Sequence, residues 1–266
     1  MFRYRSLPNL VLLAVLAAVA GMVTTVSAPA HDATTLVSKK HPTNAGKIFR
    51  WGLATWKDEF KQHLSHTWAV NHPKLVRNQV GMLTLDGTAH SGSVTATVRG
   101  HAHRHGRWEA RVRSQQWSGG HTPYHVVWEL VPVGAYDCGA RSIVLSDYVP
   151  HGHRAYAYLR NRPNVQFSAG LSRNLGDYKF HTYAVEVTRS HISWFVDTRV
   201  IMTERRPAAL AGARYKIRFR LVAKPGARMN PSRMQMDWVR YYTLARHDAR
   251  PIHAPSAHRE RFAGAC

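Results

Sequence analysis

The sequence predicts an all-β fold, a sandwich or jelly roll. Three observations carry this expectation. Apolar and polar residues alternate with period two through the middle of the chain, Gly, Pro, Asp and Asn bound the runs, and long helical periodicity is missing. Many short strands separated by spaced turns bury their apolar faces by stacking sheet on sheet.

Taken in order, Val94 to Val98 alternates, and Trp108, Ala110 and Val112 alternate with Glu109, Arg111 and Arg113. His125 to Val131 is apolar and β-branched. Tyr183, Val185 and Val187 alternate around Glu186, and Ile192 to Val196 follows a polar Thr-Arg-Ser-His turn. Tyr215 to Leu221 alternates Arg and Lys with Tyr, Ile, Phe and Leu, and Met234 to Tyr242 closes the set. Asp58 to Ser65 is read as about one helical turn. There is no internal repeat.

A chain of 266 residues fits one large β domain. Residues 1–30 read as a secretory signal peptide: Arg3 and Arg5, an apolar run from Leu10 to Val26, then small residues Ser27, Ala28 and Ala30. Residues 31–49 are polar and read as a flexible leader, 50–245 as the folded core, and 246–266 as an extended C-terminal tail. No stretch after the signal is long and apolar enough to span a membrane, so the expectation is a secreted monomer, extracellular or associated with the cell wall. Without Arg3 and Arg5 the chain keeps 35 basic side chains against 15 acidic ones, a formal charge of +20. That charge favours polyanions. Nucleic acid is disfavoured among them, because no nucleic-acid motif accompanies the charge. Two cysteines in an exported chain, Cys138 and Cys266, suggest one disulfide. His101, His103 and His105 would share one strand face, and His151 and His153 repeat the spacing. Such a cluster is either a Zn or Cu grip or a wet, positively charged loop. Trp117, Tyr124 and Trp128 are candidate platforms for sugar rings, with Tyr136 in the loop beyond.

Several landmarks together resemble glycoside hydrolase family 16, the laminarinases and lichenases. Trp56-Lys57-Asp58-Glu59-Phe60 is similar to its W-x-D-E-F opening, with Trp68 and Val80 to Leu85 as the next landmarks. His105-Gly106-Arg107-Trp108-Glu109-Ala110-Arg111-Val112 resembles its Y-G-R-F-E-A-R-I strand. Phe180 to Glu186, then Ile192 to Asp197, resemble a family hairpin, and Met236 to Tyr242 its closing V-D-W-V-R-V-Y strand. The resemblance implies a concanavalin-like β-sandwich of two curved antiparallel sheets with a glycan cleft on the concave one. His181, within that hairpin, is a candidate cleft contact, with a structural hydrogen bond as the alternative. The resemblance also implies a structural calcium, held by the carbonyls of Glu59 and Gly81 and the side chain of Asp237, with no other cofactor required.

The catalytic strand departs from the family pattern. The family carries G-E-x-D-x-x-E, one Glu attacking the anomeric carbon and the other protonating the leaving oxygen, about 5 Å apart. Here the stretch is Cys138 to Tyr148. Anchored on Gly139, the slots hold Ala140, Ser142 and Leu145, or Val144 in a form one residue shorter. Anchored on Tyr148, they hold Ser142, Val144 and Asp147. No register keeps more than one acid. Acids near this strand are Glu129, Asp137 and Asp147, so a displaced Glu129–Asp147 pair is the rescue. The expected function is a catalytically degenerate, secreted binder of extracellular or wall polysaccharide, an anionic one fitting the charge. The alternatives are a retaining β-glucan-type hydrolase using Glu129 and Asp147, and a structural wall protein.

Overall fold

Sixteen strands appear among the residues that the computed structural model describes, which are 43–134, 142–161, 164–175, 178–210, 212–245 and 254–263. In chain order they are β1 (Trp56–Asp58), β2 (Trp68–Val70), β3 (Val76–Asn78), β4 (Leu83–Gly87), β5 (Val94–Val98), β6 (Gly106–Gln116), β7 (His125–Pro132) and β8 (Ile143–Tyr148). Then follow β9 (Arg154–Asn161), β10 (Val165–Ser172), β11 (His181–Val187), β12 (Ile192–Val196), β13 (Arg199–Glu204), β14 (Tyr215–Val222), β15 (Ser232–Tyr242) and β16 (His258–Arg261). One sheet runs β13-β12-β11-β6-β15-β4-β3, with β1 also on β15; the other runs β16-β10-β9-β8-β7-β14-β5-β2. Every named pairing is antiparallel.

Period two decides what lies between the sheets. Along β14, Tyr215, Ile217, Phe219 and Leu221 are buried while Lys216, Arg218, Arg220 and Val222 turn outward. Val126, Trp128 and Leu130 of β7 join them, as do Trp108, Ala110 and Val112 of β6 and Trp194 of β12. Trp128 and Trp68 pack on Phe219 with ring centroids 5.8 Å apart. This inter-sheet layer is the core and leaves both outer faces for other work.

Two local expectations are corrected. Asp58 to Ser65 is not helical: the Asp58 carboxylate accepts from the Phe60 amide and from Trp68 Nε1, each at 2.8 Å. A side chain that bonds its own backbone two residues on favours a turn over a helix. The leader reading fails at its end, because residues 43–49 pack on the outer face of the β6 sheet. There the short helix α1 (Ala45–Ile48) buries Ala45, and Trp51 stacks edge-on with Phe195 and Tyr242. The described part of the tail, extended as expected, is not free: β16 adds an edge strand to β10, Glu260 accepting from Gln166 and Ser168. Residues 1–42, with the rest of the leader, lie outside the described residues. Among the described residues no helix is long and apolar enough to cross a membrane.

The N-terminal segment seals Glu109 on β6. Its carboxylate accepts from Asn44 Nδ2 at 3.0 Å, the Gly46 amide at 3.2 Å and the Tyr242 hydroxyl at 3.3 Å. Burial pushes this carboxyl above its ordinary value more than these donors pull it down. A raised folded value means stability that is complete below the unfolded value, near ~4.3, and lost as pH rises through the folded one. Glu109→Gln carries no charge at any pH. The melting temperature of the wild type minus that of the variant should therefore fall steadily from about pH 4 to 8. A difference that stays flat or rises would show that the carboxylate is welcome there.

Candidate functional site

The outer face of the β8 sheet is the natural place for a site, because β7, β8, β9 and β14 lie side by side in its middle. A bulge in β8 sets what that face presents. Trp128 pairs with Ser146 but Glu129 with Val144, so Leu145 is the extra residue. Leu145 and Ile143 point into the core, Ser146 is fully buried, and Val144 and Asp147 face outward. Ser142, just before the strand, is buried. The register that puts Leu145 in a catalytic slot is thereby corrected, and the outward row follows the Tyr148-anchored one: Val144, then Asp147. Ala140, Cys138, Asp137 and Tyr136 lie outside the described residues, as does Cys266.

Val127, Val144 and Tyr158 form an apolar patch on this face, with Val222 beside it. Around it stand charges. Glu129 is buried and accepts from Arg218 Nε at 2.8 Å and Arg220 Nη1 at 3.3 Å. Two guanidinium groups from the neighbouring strand match one carboxylate, which a buried charge requires. Asp147 accepts from the Tyr158 hydroxyl at 2.9 Å and lies 2.7 Å from His125 Nδ1. The hydrogen bond to Asp147 holds the His125 imidazole above its ordinary pKa, against the opposing pull of burial. Burial, with Asp147 next, pushes the Tyr158 phenol far up, so it stays a neutral donor. Beyond this trio opens a groove of about 410 Å³, lined among others by His153, Arg154, Tyr156 and Arg160. Arg160 stacks over the Tyr158 ring at 4.4 Å and donates to Gln166, and Tyr156 is 44% exposed.

The face thus offers an exposed ring, an apolar floor and a rim of cations. Both of its carboxylates are already bonded to neighbours. It can grip a ring-shaped polar ligand by stacking and by charge-assisted hydrogen bonds.

The other expected contacts fall elsewhere. Trp128 is 0% exposed inside the sandwich, so it is not a platform. Tyr124 is equally buried, its hydroxyl donating to the Thr88 carbonyl at 2.7 Å, and it is corrected likewise. His181 opens β11 in the opposite sheet, its Nδ1 3.2 Å from Asp197, which also pairs with Arg173 at 2.7 Å; it is no groove contact. Trp117 is 48% exposed, but the Arg233 guanidinium covers its ring at 4.9 Å and it does not line the groove. The one side chain of the calcium set does not fit a cation as it stands, because Arg111 Nη1 sits 2.5 Å from the Asp237 carboxylate. A calcium at Asp237 would meet a guanidinium where it needs an oxygen. His101 lies on Trp56 and His103 stacks on Tyr241 at 3.9 Å, and among the described residues no three His, Cys, Asp or Glu gather as a metal site.

Sequence reading missed Tyr156, Tyr158 and His125. The signal for the first two is the alternation in Arg154-Ala155-Tyr156-Ala157-Tyr158-Leu159, which buries Ala and Leu and turns both Tyr outward.

No family model matches the sequence, and no curated protein does. The architecture is similar to that of a non-specific endo-β-1,3(4)-glucanase from family GH16, with a TM-score of 0.60 and 14% identity over 72% of this chain and 91% of that one. It is similar to the catalytic domain of an endo-1,3-β-glucanase (laminarinase) from Thermotoga petrophila RKU-1, with a TM-score of 0.60 and 13% identity over 73% of this chain and 98% of that one. The laminarinase from Rhodothermus marinus gives 0.60 and 17%, over 71% and 96%. These likenesses establish the fold, a GH16-like jelly roll of two antiparallel sheets.

Proposed function

We propose that this protein is exported through residues 1–30 and binds an anionic extracellular or wall polysaccharide on the outer face of the β8 sheet without cleaving it. One observation carries the reading. Where the family 16 pattern calls for a row of acids, this strand turns out Val144 and Asp147, and the neighbouring Glu129 is bonded to Arg218 and Arg220. Two proteins of similar fold are named as a β-1,3(4)-glucanase and a laminarinase, which supports a sugar polymer as ligand. The formal charge supports an acidic one. Tyr156 supplies the stacking face, and Arg154 and Arg160 the partners for carboxylate or sulfate. A displaced-acid hydrolase is the second reading, favoured by one fact: Asp147 stands opposite Val127 and Glu129 opposite Val144, so the two carboxylates share this face.

Affinity for a carboxylated or sulfated polysaccharide should fall at least tenfold between about 50 and 200 mM salt, because exposed charges are screened over ~8–10 Å. Affinity for a neutral β-glucan should be weaker at low salt and nearly salt-independent. Calorimetric titration of both ligands across that range checks this. Equal binding of acidic and neutral polymers throughout would reject the anionic ligand.

A further inference from the structure

A second basic pocket, sharing no lining residue with the groove, opens at one end of the sandwich. It measures about 440 Å³ and is lined by Arg104 and His105 ahead of β6, Thr188 and Arg189 in the β11–β12 turn, Leu210, and Tyr215 opening β14. Its size falls within that of small-ligand sites, roughly 300–1,000 Å³. Two arginines and a histidine are among the residues that line it. Among the described residues no carboxylate pairs with Arg104 or Arg189, and no acid lines the pocket.

The backbone presenting these cations is pinned. His103 and Tyr215 exchange both backbone hydrogen bonds, at 3.0 and 2.8 Å. The Tyr241 hydroxyl donates to the His105 carbonyl at 2.9 Å. The next residue, Gly106, has φ +144°, and a Cβ there would meet the Tyr241 ring at 2.3 Å. Across the pocket, the β11–β12 turn is fixed by the Thr188 amide donating to the His191 carbonyl at 2.9 Å and by the Thr188 hydroxyl. Like charges held together on rigid backbone, with no acid between them, suit an external anion. Consistent with this, burial, then Arg189 and Arg104, hold the His105 imidazole below its ordinary pKa.

We propose that this pocket binds a tetrahedral oxyanion, a phosphate or sulfate group, between the forks of Arg104 and Arg189 with His105 as third donor. Planar guanidinium forks match such oxygens in pairs. The His101, His103 and His105 run is then not a metal grip: His103 is spent on stacking, and His105 faces the anion. The site is independent of the glycan reading, and either can fail alone.

Histidine-selective NMR titration of the full chain tests it, using inorganic phosphate, inorganic sulfate and chloride at matched ionic strength. The charged and titratable groups facing the pocket are Arg104, His105, Arg189 and Tyr215. The His105 titration midpoint should rise by half a unit or more with phosphate or sulfate and stay put in chloride. His181 of β11, set against Asp197 and lining neither this pocket nor the groove, serves as the unmoved control. Arg104→Gln with Arg189→Gln should weaken the anion at least tenfold. Arg104→Lys with Arg189→Lys, which keeps the charge but loses the forks, should fall between. Response to phosphate alone assigns a phosphate ester, and response to sulfate alone a sulfate ester, as the natural group. No shift with either anion, the same shift with chloride, or undiminished binding in the double Gln variant overturns the proposal.

Discussion

Trp128→Ala should cost about 3–5 kcal/mol of stability, whereas Tyr156→Ala should cost no more than ~0.5 kcal/mol. The contrast follows from where each ring stands. Trp128 is fully enclosed between the sheets and packs on Phe219, so its removal leaves a cavity that the rigid strands around it cannot close. A typical domain has roughly 5–15 kcal/mol in all, so the Trp128 variant should melt far earlier or fail to accumulate. Tyr156 lies on the outer face, where water replaces it freely. Its loss should appear instead in glycan affinity, by about 1–2 kcal/mol if one stacking face is removed. Urea unfolding of both variants, with binding measured for Tyr156→Ala, separates the roles. A Trp128→Ala protein within 1 kcal/mol of the parent would show that the ring does not sit in the core.

Period two already forbids one pairing drawn from the sequence. Trp128 and Glu129 are adjacent on β7, and adjacent strand residues face opposite ways, so they cannot serve one cleft together. Once Glu129 is placed on the outer face with Arg218 and Arg220, Trp128 must be core. Apolar residues on both faces of β7 hid this, because the run from Val126 to Val131 shows no alternation except at Glu129. Where alternation is strong the sequence was legible: Val94 to Val98 is β5 residue for residue, and the Tyr215 to Leu221 run is β14 less its last residue.

Other features had no local signal. The β8 bulge exists only relative to the partner strand, since it is a slip in pairing against Trp128 and Glu129. No count of residues along β8 alone reveals whether Leu145 or Val144 faces out. Strand β16 is His258-Arg259-Glu260-Arg261, with no apolar stripe; the unpaired backbone of β10 recruits it. The helix α1 is too short to show periodicity, and it is held by Glu109, 63 residues further along the chain. Each of these is a tertiary effect, and each changes what the faces present: the bulge aims Asp147 outward, β16 extends the groove sheet, and α1 closes part of the opposite face.

The chain freed of residues 1–30 should show no detectable turnover of laminarin, lichenan or agar-type polymers. Retaining hydrolysis needs two carboxyls about 5 Å apart, one free to attack and the other to give a proton. On this face Val144 can do neither, nor can the buried Ser142 hydroxyl before the strand replace a carboxyl. Asp147 accepts from Tyr158 and lies against His125, and Glu129 lies under two guanidinium groups. Losing acid–base assistance alone lowers rates by about 10²–10⁴, and losing the nucleophile as well compounds it. Reducing-end release over long incubation, with the product chains resolved, is the measurement. If hydrolysis appears, Asp147→Asn and Glu129→Gln decide its origin. Asp147→Asn keeps the shape of the Tyr158 contact, so loss of activity there with the fold intact would make Asp147 a catalytic acid and reject the binder reading. Glu129→Gln strands Arg218 and Arg220, so its activity must be read beside its melting temperature. Activity surviving both substitutions in a folded protein would show that these two carboxylates do not carry it, because each would have lost the group that attack or protonation requires.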